Sequence, residues 1–319
     1  MSYLSQAKKP AAKPKPPIIT IIGSPGSGKT SFAGTFPKAI FIQAEDAGTV
    51  FESWDESVQP TMMPILPKAV AEKDGLAGNL KVSTFDVLMA QLRELATAEH
   101  DFETLVIDSN TSLNTKMEHQ VCKKYGVTSV ADAAGGYFKG YDEVAALHSD
   151  FMAACEILRA RKNMAIIFLG HSGVQKIKNS PDQGSEYTVH SLDMFHKSAA
   201  VYINNSDAVI YIKKEELITG AETNKKGQTT KFGRAMQTGE RVLITSGDGL
   251  LGYVSAKSRY PTPSEIPLPI GTNPLLPYIA FYNQGAQSAS EEPVEPEQPV
   301  DQEDLTQTDT PTTDVKESL

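Results

Sequence analysis

An α/β fold with a mostly parallel central sheet is what the sequence predicts, and three observations carry that prediction. Short apolar runs rich in β-branched residues recur along the chain, helically spaced apolar segments lie between them, and hairpin-like runs follow residue 208. The runs are 18–22 (IITII), 39–44 (AIFIQA), 104–108 (TLVID), 164–170 (MAIIFLG) and 208–212 (AVIYI). Each reads as a strand buried on both faces, which is how strands of a parallel sheet look in sequence. A first helix is predicted from Lys29 to about Phe36. Within 86–98, Val87, Leu88, Leu92 and Leu95 fall on one helical stripe; within 142–160, Val144, Leu147, Phe151, Ala154 and Leu158 do the same. Helices are therefore expected on both faces of the sheet. RVLIT at 241–245, a Gly-rich turn and LGYVSAKSRY at 251–260 read as C-terminal hairpins that finish it.

The chain has 319 residues, of which 40% are apolar and 22% charged, enough for one large core or two small ones. Two cysteines, Cys122 and Cys155, argue against a secreted disulfide scaffold and read as free thiols of a reducing cytosol. No run approaches the roughly 20 apolar residues of a membrane span, and the N-terminus lacks the hydrophobic stretch of a signal peptide. A cytoplasmic protein is expected.

The net charge of -9 is unevenly placed. Residues 1–17 carry four lysines and no acid among alanines and prolines, a composition that favours an extended arm. Residues 291–319 hold ten acidic side chains against Lys316 alone, so the segment 283–319 is expected to be a disordered acidic tail. The domain between, 18–282, is only mildly acidic, which leaves room for a local basic groove.

GSPGSGKT, residues 23–30, matches G-x-x-x-x-G-K-[ST] in full and sits between the first strand and the first helix, the context the motif requires. Gly23, Gly26 and Gly28 let the loop curl so that backbone N–H groups of Gly23, Ser24, Pro25, Gly26, Ser27, Gly28, Lys29, Thr30 and Ser31, proline excepted, face phosphate oxygens. Lys29 is expected to reach the β and γ phosphates of ATP, and the Thr30 hydroxyl to ligate Mg²⁺. Asp108 closes the run TLVID and would emerge at the C-terminal edge of the sheet, where it can hold a metal-bound water; capping a helix is its alternative use. Glu45, just past the second strand, can face the γ phosphate and accept a proton from attacking water. Asp46 is the competing carboxylate, and a structural role for both is the third option. His171 follows MAIIFLG at the same edge, as a γ-phosphate sensor or an ordinary loop histidine. The other histidines have no zinc-like spacing with either cysteine.

Taken in order after GSPGSGKT, FIQAEDAG, LVIDS and IIFLGH resemble the ATPase core of bacterial RecA recombinase, and most closely the phage-type RecA-like nucleotide-binding proteins, including the Sak-type single-strand annealing recombinases. The resemblance spans roughly 18–265. It implies a RecA-like P-loop NTPase fold, water activation by Glu45, and coupling of nucleotide state to DNA through His171, where RecA itself carries glutamine. It also implies that Lys257 and Arg259, a K-x-R version of RecA's late K-x-K element, enter a neighbouring subunit's ATP site as arginine fingers do. A solvated basic turn is the plainer account of that pair.

The family's DNA-binding loops correspond to 172–198, with Lys176, Lys178, Tyr187, His190 and Lys197, and to 126–141, with Tyr137, Phe138, Lys139 and Tyr141. Such loops can track a phosphate backbone and stack bases, or serve as active-site lids. Lys213, Lys214, Lys225, Lys226, Lys231 and Arg234 extend the surface, diluted by Glu215, Glu216 and Glu222. The function expected is a Mg²⁺-dependent ATPase that forms a filament or ring on single-stranded DNA and assists annealing or strand pairing in recombination or replication. A single-strand binding protein or another replication protein is a further possible partner, and no membrane is involved. The competing classes are a helicase loader or nucleotide switch with little hydrolysis, and a small-molecule P-loop kinase.

Overall fold

The computed structural model describes residues 13–45, 48–64, 83–178, 186–219, 222–223, 229–231, 234–248 and 251–283. The acidic tail, Asp46, Lys225 and Lys226 lie outside the described residues, as does most of the N-terminal arm.

In chain order the elements are β1 (Ile18–Gly23), α1 (Lys29–Ala33), β2 (Ala39–Gln43), β3 (Thr61–Pro64), α2 (Thr84–Thr97), β4 (Thr104–Asp108), α3 (Asn110–Tyr125), α4 (Gly140–Lys162), β5 (Ala165–Ile177), β6 (Tyr187–Leu192), α5 (His196–Asn205), β7 (Ala208–Thr219), β8 (Glu222–Thr223), β9 (Thr229–Lys231), β10 (Arg234–Ile244), β11 (Lys257–Ser258) and β12 (Glu265–Pro267). The sheet runs β12-β10-β7-β1-β5-β4-β2-β3, with β11 on β7 and β6 on β5. The six strands from β7 to β3 are parallel, whereas β10, β11 and β12 add antiparallel pairs at one edge. The sheet is thus mixed, with the C-terminal hairpins in the expected place.

Strand alternation divides the apolar residues between two cores. Ile18 and Ile22 of β1 face a core shared with Leu92 of α2, Met117 of α3, Phe151 of α4 and Tyr202 of α5. Ile19 and Ile21 face the other, closed by Phe32 of α1, Phe51, Leu268, Leu275 and Ile279. Helices flank both faces, but unevenly: four pack on one side, while α1 and irregular chain cover the other. α1 ends at Ala33 and is capped by Gly34, short of the expected Phe36.

α2 begins at a reciprocal cap between Ser83 and Asp86, two residues earlier than its apolar stripe indicates. Two helices, α3 and α5, escape the periodicity. The buried face of α3 includes Asn110, Thr111 and Asn114 beside Leu113, Met117 and Val121, so its inward stripe does not read as apolar. Of these, Asn114 serves a buried network. Nδ1 of His148 lies 2.6 Å from the Tyr202 hydroxyl, and its Nε2 lies 3.1 Å from Oδ1 of Asn114.

Burial pulls the His148 pKa down to about 3, so the folded chain keeps this imidazole neutral. Between pH 6.5 and about 3 the unfolded chain binds a proton there that the folded chain refuses. Stability therefore falls with pH through that window, by up to about 1.4 kcal/mol per pH unit. Urea titrations at pH 7 and pH 5 should show a smaller pH dependence in His148→Asn than in wild type, and equal dependences would disprove this origin.

Candidate functional site

β1 ends at Gly23 and the chain turns through Ser24, Pro25, Gly26, Ser27 and Gly28 into α1. Gly26 and Gly28 have φ of +68° and +89°, in the region glycine enters without steric penalty. A Cβ at Gly23 would stand 2.6 Å from Oγ of Ser27, so the turn closes only around glycine. Ser27 is buried, and its hydroxyl has no partner among the described residues. Lys29 is only 6% exposed, and its Nζ donates to the carbonyls of Gly23 (2.9 Å) and Ser24 (3.1 Å). Burial holds its pKa below the usual lysine range, against the pull of Asp108 and Glu45. A buried ammonium, an orphaned hydroxyl and a bare glycine cradle fit the phosphates of ATP, whose oxygens would supply the acceptors they lack.

Beside this loop, Gln43 of β2 pairs with Asp108 of β4, and the N–H groups of Ala44 and Glu45 donate to the Asp108 carbonyl at 2.7 and 3.1 Å. The two strand ends therefore deliver Glu45 and Asp108 to one place. The Thr30 hydroxyl donates to Oδ2 of Asp108 at 2.7 Å, and burial raises the Asp108 carboxyl pKa. Among the described residues no three His, Cys, Asp or Glu side chains form a metal cluster. One hydroxyl and one carboxylate instead suit Mg²⁺, a hard cation that keeps several waters and takes phosphate oxygens as its other ligands. Bound here, it would neutralise phosphate charge.

Oε1 of Glu45 accepts from the Ser109 hydroxyl and lies 3.3 Å from Nε2 of His171. Ser109 follows Asp108 through a cis peptide bond and also meets the Thr111 hydroxyl at 3.0 Å. β1 and β5 pair Gly23 with His171, which brings the imidazole beside the phosphate loop, its Nδ1 3.5 Å from Nζ of Lys29. An ammonium only donates, so Nδ1 accepts and the ring proton sits on Nε2, facing Glu45. The bond from His171, helped by Ser109, pulls the Glu45 pKa down to about 2 despite burial. This carboxylate stays ionised at neutral pH and can orient a water. It becomes a better proton acceptor once Ser109 and His171 release it.

Lys29, Thr30, Ser31, Glu45, Asp108 and His171 are thus drawn to one edge of the sheet. Lys257 and Arg259 are not. β11 joins β7 at Ala208 and Val209, the opposite end from the phosphate loop. There Nζ of Lys257 donates to the Asn204 carbonyl at 3.2 Å, and Arg259 pairs with Asp207 at 2.9 Å.

The segment 172–198 is not a loop throughout. β5 continues to Ile177 and pairs with β6, so Lys176 is on a hairpin arm and Lys178 directly follows it, both exposed. Residues 179–185 lie outside the described residues. Lys197 is the second residue of α5 and is ion-paired with Asp142. In the second segment, Tyr137 and Phe138 have positive φ and stand 91% and 62% exposed beside Lys139. Phe138, Tyr141 and Phe195 stack in sequence, with centroids 6.1 and 4.2 Å apart.

The sequence reading passed over four site residues. Ser109 is an ordinary polar residue until the register of β2 and β4 brings it to Glu45, and Thr111 joins the site through the Ser109 hydroxyl and the His171 N–H. Lys214 counted only as part of a basic stretch, and nothing in the sequence marks Arg241; both lie against the phosphate loop.

No helix among the described residues is long and apolar enough to cross a membrane. No curated protein matches the chain. A family model described as an AAA domain matches residues 15–260, most of the chain, and its span includes the phosphate loop, Glu45, Asp108 and His171. The chain belongs to this AAA-domain family, and residues 15–260 form its P-loop NTPase domain, an ATP-binding unit.

Proposed function

We propose that this chain is a Mg²⁺-dependent ATPase of RecA-like type, similar to the Sak-type annealing recombinases, that assembles on single-stranded DNA and promotes strand pairing or annealing in phage recombination or replication. The observation that carries the DNA part is the unbroken course of β5 from His171, at Lys29 and Glu45, to Lys176 on the exposed arm. A change at the γ phosphate that moves His171 is thereby transmitted along one strand to a surface that can meet a phosphate backbone.

Within this reading, residues 23–31 cradle the phosphates of ATP, Lys29 neutralises them, Thr30 and Asp108 hold Mg²⁺, and Glu45 accepts the proton of the attacking water. Lys139, Lys176, Lys178 and Lys197 contact DNA phosphates, with Tyr137 and Phe138 as stacking surfaces. Lys257 and Arg259, far from their own phosphate loop, suit a neighbour's site in a head-to-tail filament or ring. A single-strand binding protein is a fitting partner.

Steady-state ATP hydrolysis with Mg²⁺ at low salt, with and without single-stranded DNA, tests this. DNA should raise turnover, the increase should shrink steeply with added salt, and Lys176→Ala combined with Lys178→Ala should remove most of it. Turnover indifferent to DNA would defeat the recombinase reading. The double tether on Glu45 favours the second reading, a helicase loader or nucleotide switch that binds ATP and rarely hydrolyses it.

A further inference from the structure

Two cations beside the phosphate loop take no part in the reading above. Lys214 of β7 and Arg241 of β10 face each other across the antiparallel pair. The pairing of β10 slips between Gln237 and Arg241, where Gly239 has φ of +86°, and regular register resumes at Arg241. β7 is also the neighbour of β1, with Gly23 opposite Ile212, so Lys214 comes two residues beyond the start of the loop.

Both side chains reach the cradle. A Cβ at Gly26 would stand 3.4 Å from Nζ of Lys214, and a Cβ at Gly28 would stand 2.5 Å from Nη1 of Arg241. Phosphate-loop glycines stay bare so that a phosphate can approach the backbone; the guanidinium points into that same bare space. Lys214 also adds to the lowering of the Lys29 pKa, which places its charge in the same field. The two cations line a recess of about 120 Å³ with Gly26, Gly239 and the exposed Glu240. On its other side Arg241 borders a cleft of about 200 Å³ between α1 and residues 268–272, lined also by Ser31, Thr35 and Trp54, which offers room for the rest of a nucleotide.

At the opposite end of β1 and β7 the cations are committed. Arg159 and Arg259 share Asp207. Among the described residues, Lys214 and Arg241 have no carboxylate within ion-pair distance. Two unpaired cations held against a phosphate loop need an anion, and a nucleotide's phosphate chain is the anion that the loop itself selects.

We propose that Arg241 and Lys214 form an own-chain clamp on the phosphate chain of the bound nucleoside triphosphate. The clamp presupposes the nucleotide-binding reading, but it needs no second subunit and is independent of Lys257 and Arg259.

Calorimetric titration of the full chain with Mg²⁺ and the non-hydrolysable analogue AMP-PNP tests it. Relative to wild type, Arg241→Ala should weaken binding by about 10- to 100-fold and Lys214→Ala by about 3- to 30-fold, in keeping with charge-assisted hydrogen bonds. Arg241→Gln, which keeps the side chain's length and loses its charge, carries the test if the alanine variant fails to fold, as judged by circular dichroism. Mixing Arg241→Ala chains with Lys29→Ala chains should not restore tight binding, because each chain supplies its own clamp. Folded Arg241 and Lys214 variants that bind as wild type does would overturn the clamp while leaving nucleotide binding intact. Recovery of affinity in the mixture would overturn its own-chain character. Absence of binding to wild type would remove the nucleotide reading and the clamp together.

Discussion

Glu45→Gln is expected to lower the rate constant for ATP hydrolysis by about 10²- to 10⁴-fold, the usual range for loss of a general base. Nucleotide affinity should stay within a few-fold of wild type. The amide keeps an oxygen where Ser109 and His171 now donate, so the local hydrogen bonds survive and only the charge and proton affinity are lost. Lys29 loses one of the two carboxylates that favour its charged form but retains Asp108. Single-turnover hydrolysis combined with calorimetry separates the two effects. A variant that hydrolyses at the wild-type rate would exclude Glu45 as the base and give weight to the nucleotide-switch reading. In wild type, the low pKa of this carboxylate predicts no loss of activity from its protonation between pH 7 and pH 5.

Asp207→Ala is expected to cost about 3–5 kcal/mol of folding stability, a large share of the roughly 5–15 kcal/mol typical of a domain. The carboxylate is almost fully buried. Its Oδ2 accepts the N–H of Ile18 at 3.0 Å and Arg159 at 2.9 Å, and its Oδ1 accepts Arg259 at 2.9 Å. It thereby ties together the start of β1, the end of α4 and the segment after β11. Truncation leaves a buried backbone donor and the mostly buried Arg159 guanidinium without their acceptor. Urea unfolding should show a lower midpoint with the slope unchanged. Arg259→Ala behaves differently in this account, because Arg259 is 65% exposed and its ion pair is worth at most about 1 kcal/mol. If Arg259→Ala lowers hydrolysis in the assembled protein while stability holds, its proposed role in a neighbour's site gains support; if only stability changes, that role is lost.

The parallel core was legible because buried parallel strands are uniformly apolar, and the runs at 18, 39, 104 and 208 become β1, β2, β4 and β7 at or within a residue of their expected starts. The run at 164 shows where that signal stops. β5 goes on past His171 into HSGVQKI, where only one face is covered and the chain becomes polar, so the sequence reads as a loop although the backbone remains a strand. α3 was hidden for a related reason: its inward face is partly polar, because Asn114 must satisfy His148 and Thr111 must meet Ser109. Periodicity detects burial of apolar side chains and is blind to burial of polar ones.

By itself the sequence determined the features written within a few consecutive residues: the phosphate loop with Lys29 and Thr30, the strand-terminal carboxylates Glu45 and Asp108, and the alternation that makes an α/β sheet. Only the tertiary structure decided which of these meet. Strand register sets Glu45 beside Asp108 and His171 beside Gly23, and an irregularity in β10 turns Arg241 towards Gly28, while β11 carries Lys257 and Arg259 to the far edge. The physical reason is that a motif is a property of the local backbone, whereas convergence depends on pairings between residues far apart in the chain, from Lys214 with Arg241 to Gly23 with His171, and no local pattern encodes their register.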